Sequence, residues 1–192
     1  YGFYAQVDCK EMRKGIDCEN DSIALLNAVL FTRYEKNTER KTDDFITGEC
    51  DIYVPCERVR DVKTAWSLST FPATIKKVED IAKKSGYDWQ GRAYMRLWDV
   101  DEFSLDYCMV NTPDELIKYE QEDLHYVDHI DESLRITRIQ YERCKDAEER
   151  ISRCTNVLQP GDLLTNLDDR PRIADLCAHF AGPFSQTPVL RL

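Results

Sequence analysis

His125 and His129 stand four residues apart, a spacing that on a helix lets two imidazoles reach one metal ion. Glu122 and Glu132 fall on the same side and could complete a ligand set, and His179 is the third histidine of the chain. A helical wheel nevertheless puts the pair opposite the apolar stripe, where no outer partner would fix the rings. The glutamate of a His-Glu-x-x-His protease helix is also missing. The pattern therefore reads better as surface imidazoles whose pKa rises beside carboxylates, and no cofactor is expected.

A second constellation is acidic and aromatic. Asp99, Asp101 and Glu102 follow Tyr94 and Trp98, while Glu122 and Tyr126 lie further along the same stretch. Carboxylates beside aromatic faces suit an organic cation or amine, through ion pairing and cation–π attraction. A calcium loop at 99–103 does not fit, because Phe103 takes the third ligand position and the central glycine and closing glutamate are missing. No Gly-x-Ser-x-Gly elbow and no phosphate-cradling glycine loop occur among only seven glycines. On this reading the chain is not an enzyme.

Eight cysteines, Cys9, Cys18, Cys50, Cys56, Cys108, Cys144, Cys154 and Cys177, form an even set with no Cys-x-x-Cys pair. That distribution suits a disulfide framework better than a zinc knuckle or redox pair, and so implies an oxidising, extracellular compartment. Asn20-Asp21-Ser22 adds a glycosylation sequon at Asn20. If 144–154 were continuous helix, Cys144 and Cys154 would lie about 15 Å apart, beyond disulfide reach. Each would then staple that helix to another segment, with Cys108 and Cys177 the nearest partners in sequence.

The net charge of −10 argues against nucleic acid as a partner. Twelve acids against one base, Lys118, crowd into residues 99–132, so this block carries the field that could attract a basic protein surface or a cation. No run approaches the ~20 apolar residues that span a bilayer, so membrane insertion is not expected. At 192 residues a single domain, 1–192, is the simplest organisation, with a possible subdivision near 86–91.

The elements that would carry these groups are mostly helical. Residues 23–31 open an apolar helix behind Asp21 or Ser22 and turn charged from Arg33 to about residue 44. Residues 50–56 read as extended structure leading to a turn at Pro55, and 72–84 as a helix from Pro72 with Ile75, Val78 and Ile81/Ala82 in its stripe and Gly86 past its end. Alternation from Phe103 to Met109 predicts a strand, pairing as a hairpin with 94–98 through a turn at 99–102. Thr112-Pro113-Asp114-Glu115 reads as a capping box opening a helix that reaches Val127, followed by a third long helix through Tyr141, Cys144 and Ile151. Glu120 and Asp131 would sit in the apolar face unless a kink rotates them out. Residues 161–192 read as a surface tail.

The expectation is thus an α+β fold, a mainly helical single domain with a small antiparallel hairpin, cross-linked by four disulfides. Its expected role is secreted, non-catalytic binding through an acidic, aromatic surface to a basic partner protein. The alternative is a carrier for a small apolar or amine ligand, and a metal-binding protein or secreted enzyme comes third.

Overall fold

The computed structural model describes residues 9–44, 46–117, 122–147, 149 and 151. The chain order is α1 (Lys10–Asp17), α2 (Glu19–Leu30), β1 (Lys41–Thr42), β2 (Thr47–Gly48), β3 (Ile52–Val54) and β4 (Arg58–Thr64). It continues with α3 (Ile75–Ser85), α4 (Tyr87–Trp98), β5 (Glu102–Cys108), α5 (Glu122–His125) and β6 (Ile136–Glu142). Single 3-10 turns lie at Asp114–Leu116 and Glu132–Arg135.

Four strands form the central sheet in the order β3-β4-β5-β6, and β1 and β2 make a separate small hairpin. The β3–β4 and β5–β6 pairs are antiparallel, whereas β4 and β5 run parallel over their full length, from Arg58 opposite Glu102 to Thr64 opposite Cys108. A parallel pair needs a long crossover, and α3 with α4 supplies it. The crossover packs on one face of the sheet. Val78, Ala82, Ala93, Met95 and Trp98 meet Val59, Phe103, Leu105 and Ile139 there. On the opposite face α2 lays Ile23, Leu25 and Leu26 over Ile52, Val62, Cys108 and Val110. Each large apolar side chain buried in these two layers contributes roughly 1.5–3 kcal/mol.

Local sequence explains the element ends. Thr74 caps α3 by accepting the Lys77 amide, and Gly86 ends it with a left-handed φ of 75° that glycine adopts without steric cost. Pro55 opens the turn between β3 and β4. Gly91 lets α4 lie directly on β5, since a Cβ there would come within 1.9 Å of the Phe103 ring.

The architecture corrects the mainly helical, disulfide-bonded expectation to a mixed α/β fold with two sheets. Residues 94–98 belong to α4 and not to a hairpin, and β5 instead pairs with β4 and β6. The apolar helix begins earlier than expected, at Glu19, and stops at Phe31 in the left-handed region, so no helix covers 33–44. The loop foreseen between Cys9 and Cys18 is α1. The capping-box segment makes only a 3-10 turn, because Thr112 Oγ1 turns to the Trp66 carbonyl and His125 Nδ1 in place of a helix end. The third long helix is replaced at 136–142 by β6.

Cys9, Cys18, Cys50, Cys56, Cys108 and Cys144 are all free thiols, which overturns the four-disulfide scaffold. Cys154 and Cys177, like His179, Lys118, Glu120 and the 161–192 tail, lie outside the described residues. Without those bridges nothing in the structure points to export or to glycosylation of Asn20, which sits exposed in the first turn of α2. Among the described residues no helix is long and apolar enough to cross a membrane.

Candidate active site

An interior strand buried on both faces is ordinarily apolar, yet β4 carries Arg58, Arg60, Asp61 and Lys63. Charges in such a place need partners. Arg60 has them. Its guanidinium meets Asp106 Oδ2 at 3.0 Å and lies over the Tyr34 ring, and Arg138 meets the other oxygen of Asp106.

Asp61 is different. It is wholly buried and ion-paired with Lys63 Nζ at 2.8 Å, but neither carboxylate oxygen takes part in a well-aligned hydrogen bond. The same strand face carries both residues, because they are two apart. Asp51 joins them from the neighbouring strand: it stands one step beyond the Ile52–Arg60 pair, which places it across the ladder from Asp61. Its Oδ2 accepts the Val62 amide at 2.6 Å, and its carbonyl accepts the Asn37 amide at 2.7 Å.

The electrostatics record two acids competing for one location. Burial pushes the Asp51 carboxyl up to about 8, with the Asp61 charge adding to the shift and Lys63 and the Val62 amide opposing it. Glu19, in the first turn of α2, adds a smaller upward push and is itself ion-paired with Lys36 at 2.5 Å. For Lys63, burial favours the neutral amine, but Asp61, then Tyr87, Asp51 and Tyr94, outweigh it and hold the ammonium well above its ordinary pKa. The Tyr87 ring lies 4.9 Å from that ammonium. From α4, Gln90 Nε2 donates to the Tyr94 hydroxyl at 2.9 Å, and burial, Asp61 and Asp51 keep that hydroxyl protonated. Ser22 Oγ and Thr64 Oγ1, 2.8 Å apart, tie α2 to the end of β4 and so fix the flank of the site.

This donor set fits a hard divalent cation. Asp61 offers buried oxygens with no hydrogen-bond duty, Asp51 offers a second carboxylate, and a cation between them would relieve the repulsion that raises Asp51. Among the described residues no three His, Cys, Asp or Glu side chains gather closely enough to cage an ion by themselves. Mg²⁺ is commonly held by one or two carboxylates and completes its shell with water and substrate phosphate oxygens.

The residues singled out in the sequence are dispersed. His125 is buried, edge-on to Trp66 at 4.9 Å between ring centroids, with Nδ1 2.9 Å from Thr112 Oγ1. Burial, then Lys14 and Lys10, lower its pKa, opposite to the rise expected beside carboxylates. His129, Glu122 and Glu132 are exposed, and α5 ends at His125, so the two imidazoles do not share a helix face. Asp99 pairs with Arg143 at 2.7 Å, with exposed Asp101 also near it, and Glu102 pairs with Arg58 at 2.7 Å. Tyr126 donates to Asp114. Trp98 is in the core beside Tyr94, so of that acidic and aromatic set only Tyr94 reaches the Asp61–Lys63 site.

Asp51, Asp61 and Lys63 were legible only as an Asp-x-Lys pair within a run that alternates Val59, Asp61, Lys63 against Arg60, Val62, Thr64, preceded by an acid before a Pro-bearing turn.

No family model matches the chain, and no curated protein matches it. Among solved structures, a phage-related exonuclease from Haemophilus somnus superposes with a TM-score of 0.77 at 34% identity, covering 83% of this chain and 73% of that one. The alkaline exonuclease of Laribacter hongkongensis, alone and in complex with dAMP, gives TM-scores of 0.49 and 0.48 at 10% and 11% identity, a likeness too low to carry argument. The match to the Haemophilus enzyme contradicts the expectation of a non-catalytic binder of basic proteins or small ligands, and with it the exclusion of nucleic acid. Charge summed over the chain misled because it says nothing of a local site, and Asp99, Glu102, Asp106 and Asp128 of the acidic block are matched by arginines in the fold. With about a third of its residues shared over most of both chains, the protein belongs to the family of phage-related exonucleases.

Proposed function

We propose that the chain is a metal-dependent nuclease that hydrolyses phosphodiester bonds of DNA, removing nucleotides from an end as its relative's name implies. The observation that carries this reading is the buried Asp61 carboxylate, unused in hydrogen bonding, facing Asp51 and ion-paired with the Lys63 ammonium.

Asp51 and Asp61 would hold the cation, which when bound supplies Lewis-acid charge at a phosphate oxygen and a water of lowered pKa. With the carboxylates free of metal, Asp61 above all holds Lys63 as an ammonium, a hydrogen-bond donor. That ammonium can donate to a non-bridging phosphate oxygen as negative charge builds in the transition state. The Gln90–Tyr94 pair steadies the wall of α4 behind that ammonium. Water adds to phosphorus and gives up a proton to solvent, the P–O ester bond breaks, and the departing oxygen takes a proton from solvent.

The purified full chain with Mg²⁺ should release nucleotides from an end-labelled duplex. Asp61→Asn should lower kcat on the order of 10²–10³-fold while leaving the fold intact by circular dichroism. Inertness of the wild-type chain with both Mg²⁺ and Mn²⁺, or full activity of Asp61→Asn, would overturn the proposal.

A further inference from the structure

Trp66 lies two residues past the end of β4 and three past Lys63, at the carboxyl edge of the parallel β4–β5 pair. In α/β sheets this edge is where ligands are bound. Three residues of extended chain span about 10 Å, the separation along the chain between Trp66 and Lys63.

Its surroundings are unusually costly for a half-exposed loop residue. Lys14 of α1 is fully buried, and its ammonium donates to the Trp66 carbonyl at 3.0 Å and the Val110 carbonyl at 2.9 Å, bridging the ends of both parallel strands. Thr112 Oγ1 donates to the same Trp66 carbonyl, and His125 packs edge-on against the ring. A buried ammonium is expensive, and burial lowers the pKa of Lys14 to about 8. Above the braced ring lies the exposed Lys10, its ammonium 4.8 Å from the ring centroid. A braced aromatic face with an exposed lysine at it is what single-stranded nucleic acid needs: the base stacks in the place the lysine takes on the ring, and the lysine meets the backbone.

We infer that Trp66 is a stacking platform for a base of the substrate strand, with Lys10 contacting an adjoining phosphate, so that the scissile bond is registered over Asp51, Asp61 and Lys63. This rests on the nuclease reading and adds a substrate contact to it. Lys14 acts through Trp66 and is a positioning residue.

The test uses the full chain on two substrates: a single-stranded oligonucleotide, intact or with abasic residues at its end, and the base-free diester bis(p-nitrophenyl) phosphate. Trp66→Ala should raise KM for the intact oligonucleotide on the order of tenfold or more, and Trp66→Phe should restore most of it. Abasic ends should weaken binding by wild type but not by Trp66→Ala, measured in Ca²⁺ to slow turnover. Hydrolysis of the small diester should be unchanged in both variants. Equal sensitivity of wild type and Trp66→Ala to abasic ends, or parallel losses on both substrates, would overturn the platform. Wild-type inertness on both substrates and on the end-labelled duplex would instead count against the nuclease reading itself, whereas activity on the duplex alone would overturn the single-strand platform.

Discussion

Asp51 faces Asp61 across the β3–β4 ladder, one step beyond the Ile52–Arg60 pair, and this juxtaposition dictates a pH dependence. The Asp51 carboxyl titrates near 8 in the fold, raised by burial and then by Asp61, against about 3.9 in an unfolded chain. Between those values the folded protein holds a proton that the unfolded chain has lost. Stability therefore falls as pH rises through that window, and the full penalty is present above about 8. A divalent cation competes with that proton. Without divalent ions the thermal midpoint should decline from pH 5 to 9, and Mg²⁺ should restore it most at the alkaline end. The acid limb of activity should lie near pH 8 at low Mg²⁺ and move to lower pH as Mg²⁺ increases. A midpoint flat with pH, or a limb indifferent to Mg²⁺, would show that Asp51 neither titrates there nor binds the ion.

The thiols should sort by burial. Cys56 and Cys144 are exposed, whereas Cys50 and Cys108 are buried, and burial raises both of the latter thiol pKa values far above the reactive range. Iodoacetamide on the native protein, read by peptide mass spectrometry, should label Cys56 and Cys144 within minutes and spare Cys50 and Cys108 until denaturant is added. Peptides linking any two of these four would contradict the free-thiol structure.

What the sequence disclosed depended on how local the cause was. The α3 helix, expected at 72–84 with Gly86 past its end and found at Ile75–Ser85 behind Thr74, and the alternating strand β5 were readable because glycine stops and period-2 patterns sit within a few residues. The α4 segment hid because Tyr94, Met95, Leu97 and Trp98 crowd aromatic and apolar residues that also suit a strand. The β6 segment hid because Leu134, Tyr141 and Ile151 fall at helical intervals while its pairing partner, β5, is distant in sequence. The site was hardest of all. Asp61 and Lys63 share a strand face, but Asp51 meets them only through the hairpin register, and composition argued against nucleic acid.

The Arg60–Asp106–Arg138 cluster gives a stability test on the sheet face opposite the carboxylate site. Asp106 is wholly buried and balances two guanidiniums, of which Arg60 is only 3% exposed. Asp106→Ala should cost about 3–5 kcal/mol, because it leaves an uncompensated buried charge. Replacing Asp106 with Leu and Arg60 with Met together should cost much less than Asp106→Ala alone. Urea unfolding midpoints at constant slope measure both. A loss below about 1 kcal/mol for Asp106→Ala would mean that the guanidiniums reach solvent.

Gly91 tests how closely α4 must lie on the sheet. A methyl group there would meet the Phe103 ring at 1.9 Å, and Phe103 is fully buried and stacked on Tyr141, so it has little room to yield. Against this stands the helix propensity of alanine, worth roughly 1 kcal/mol over glycine at a mid-helix position. Overpacking costs typically 1–3 kcal/mol and should prevail. Gly91→Ala should therefore lower the thermal midpoint, and Phe103→Leu in that background should recover part of the loss although Phe103→Leu alone is destabilising. Because α4 also carries Gln90 and Tyr94 beside Lys63, the single variant should lower kcat as well. A Gly91→Ala protein more stable than wild type would show that helix propensity prevails and that α4 can lift from β5.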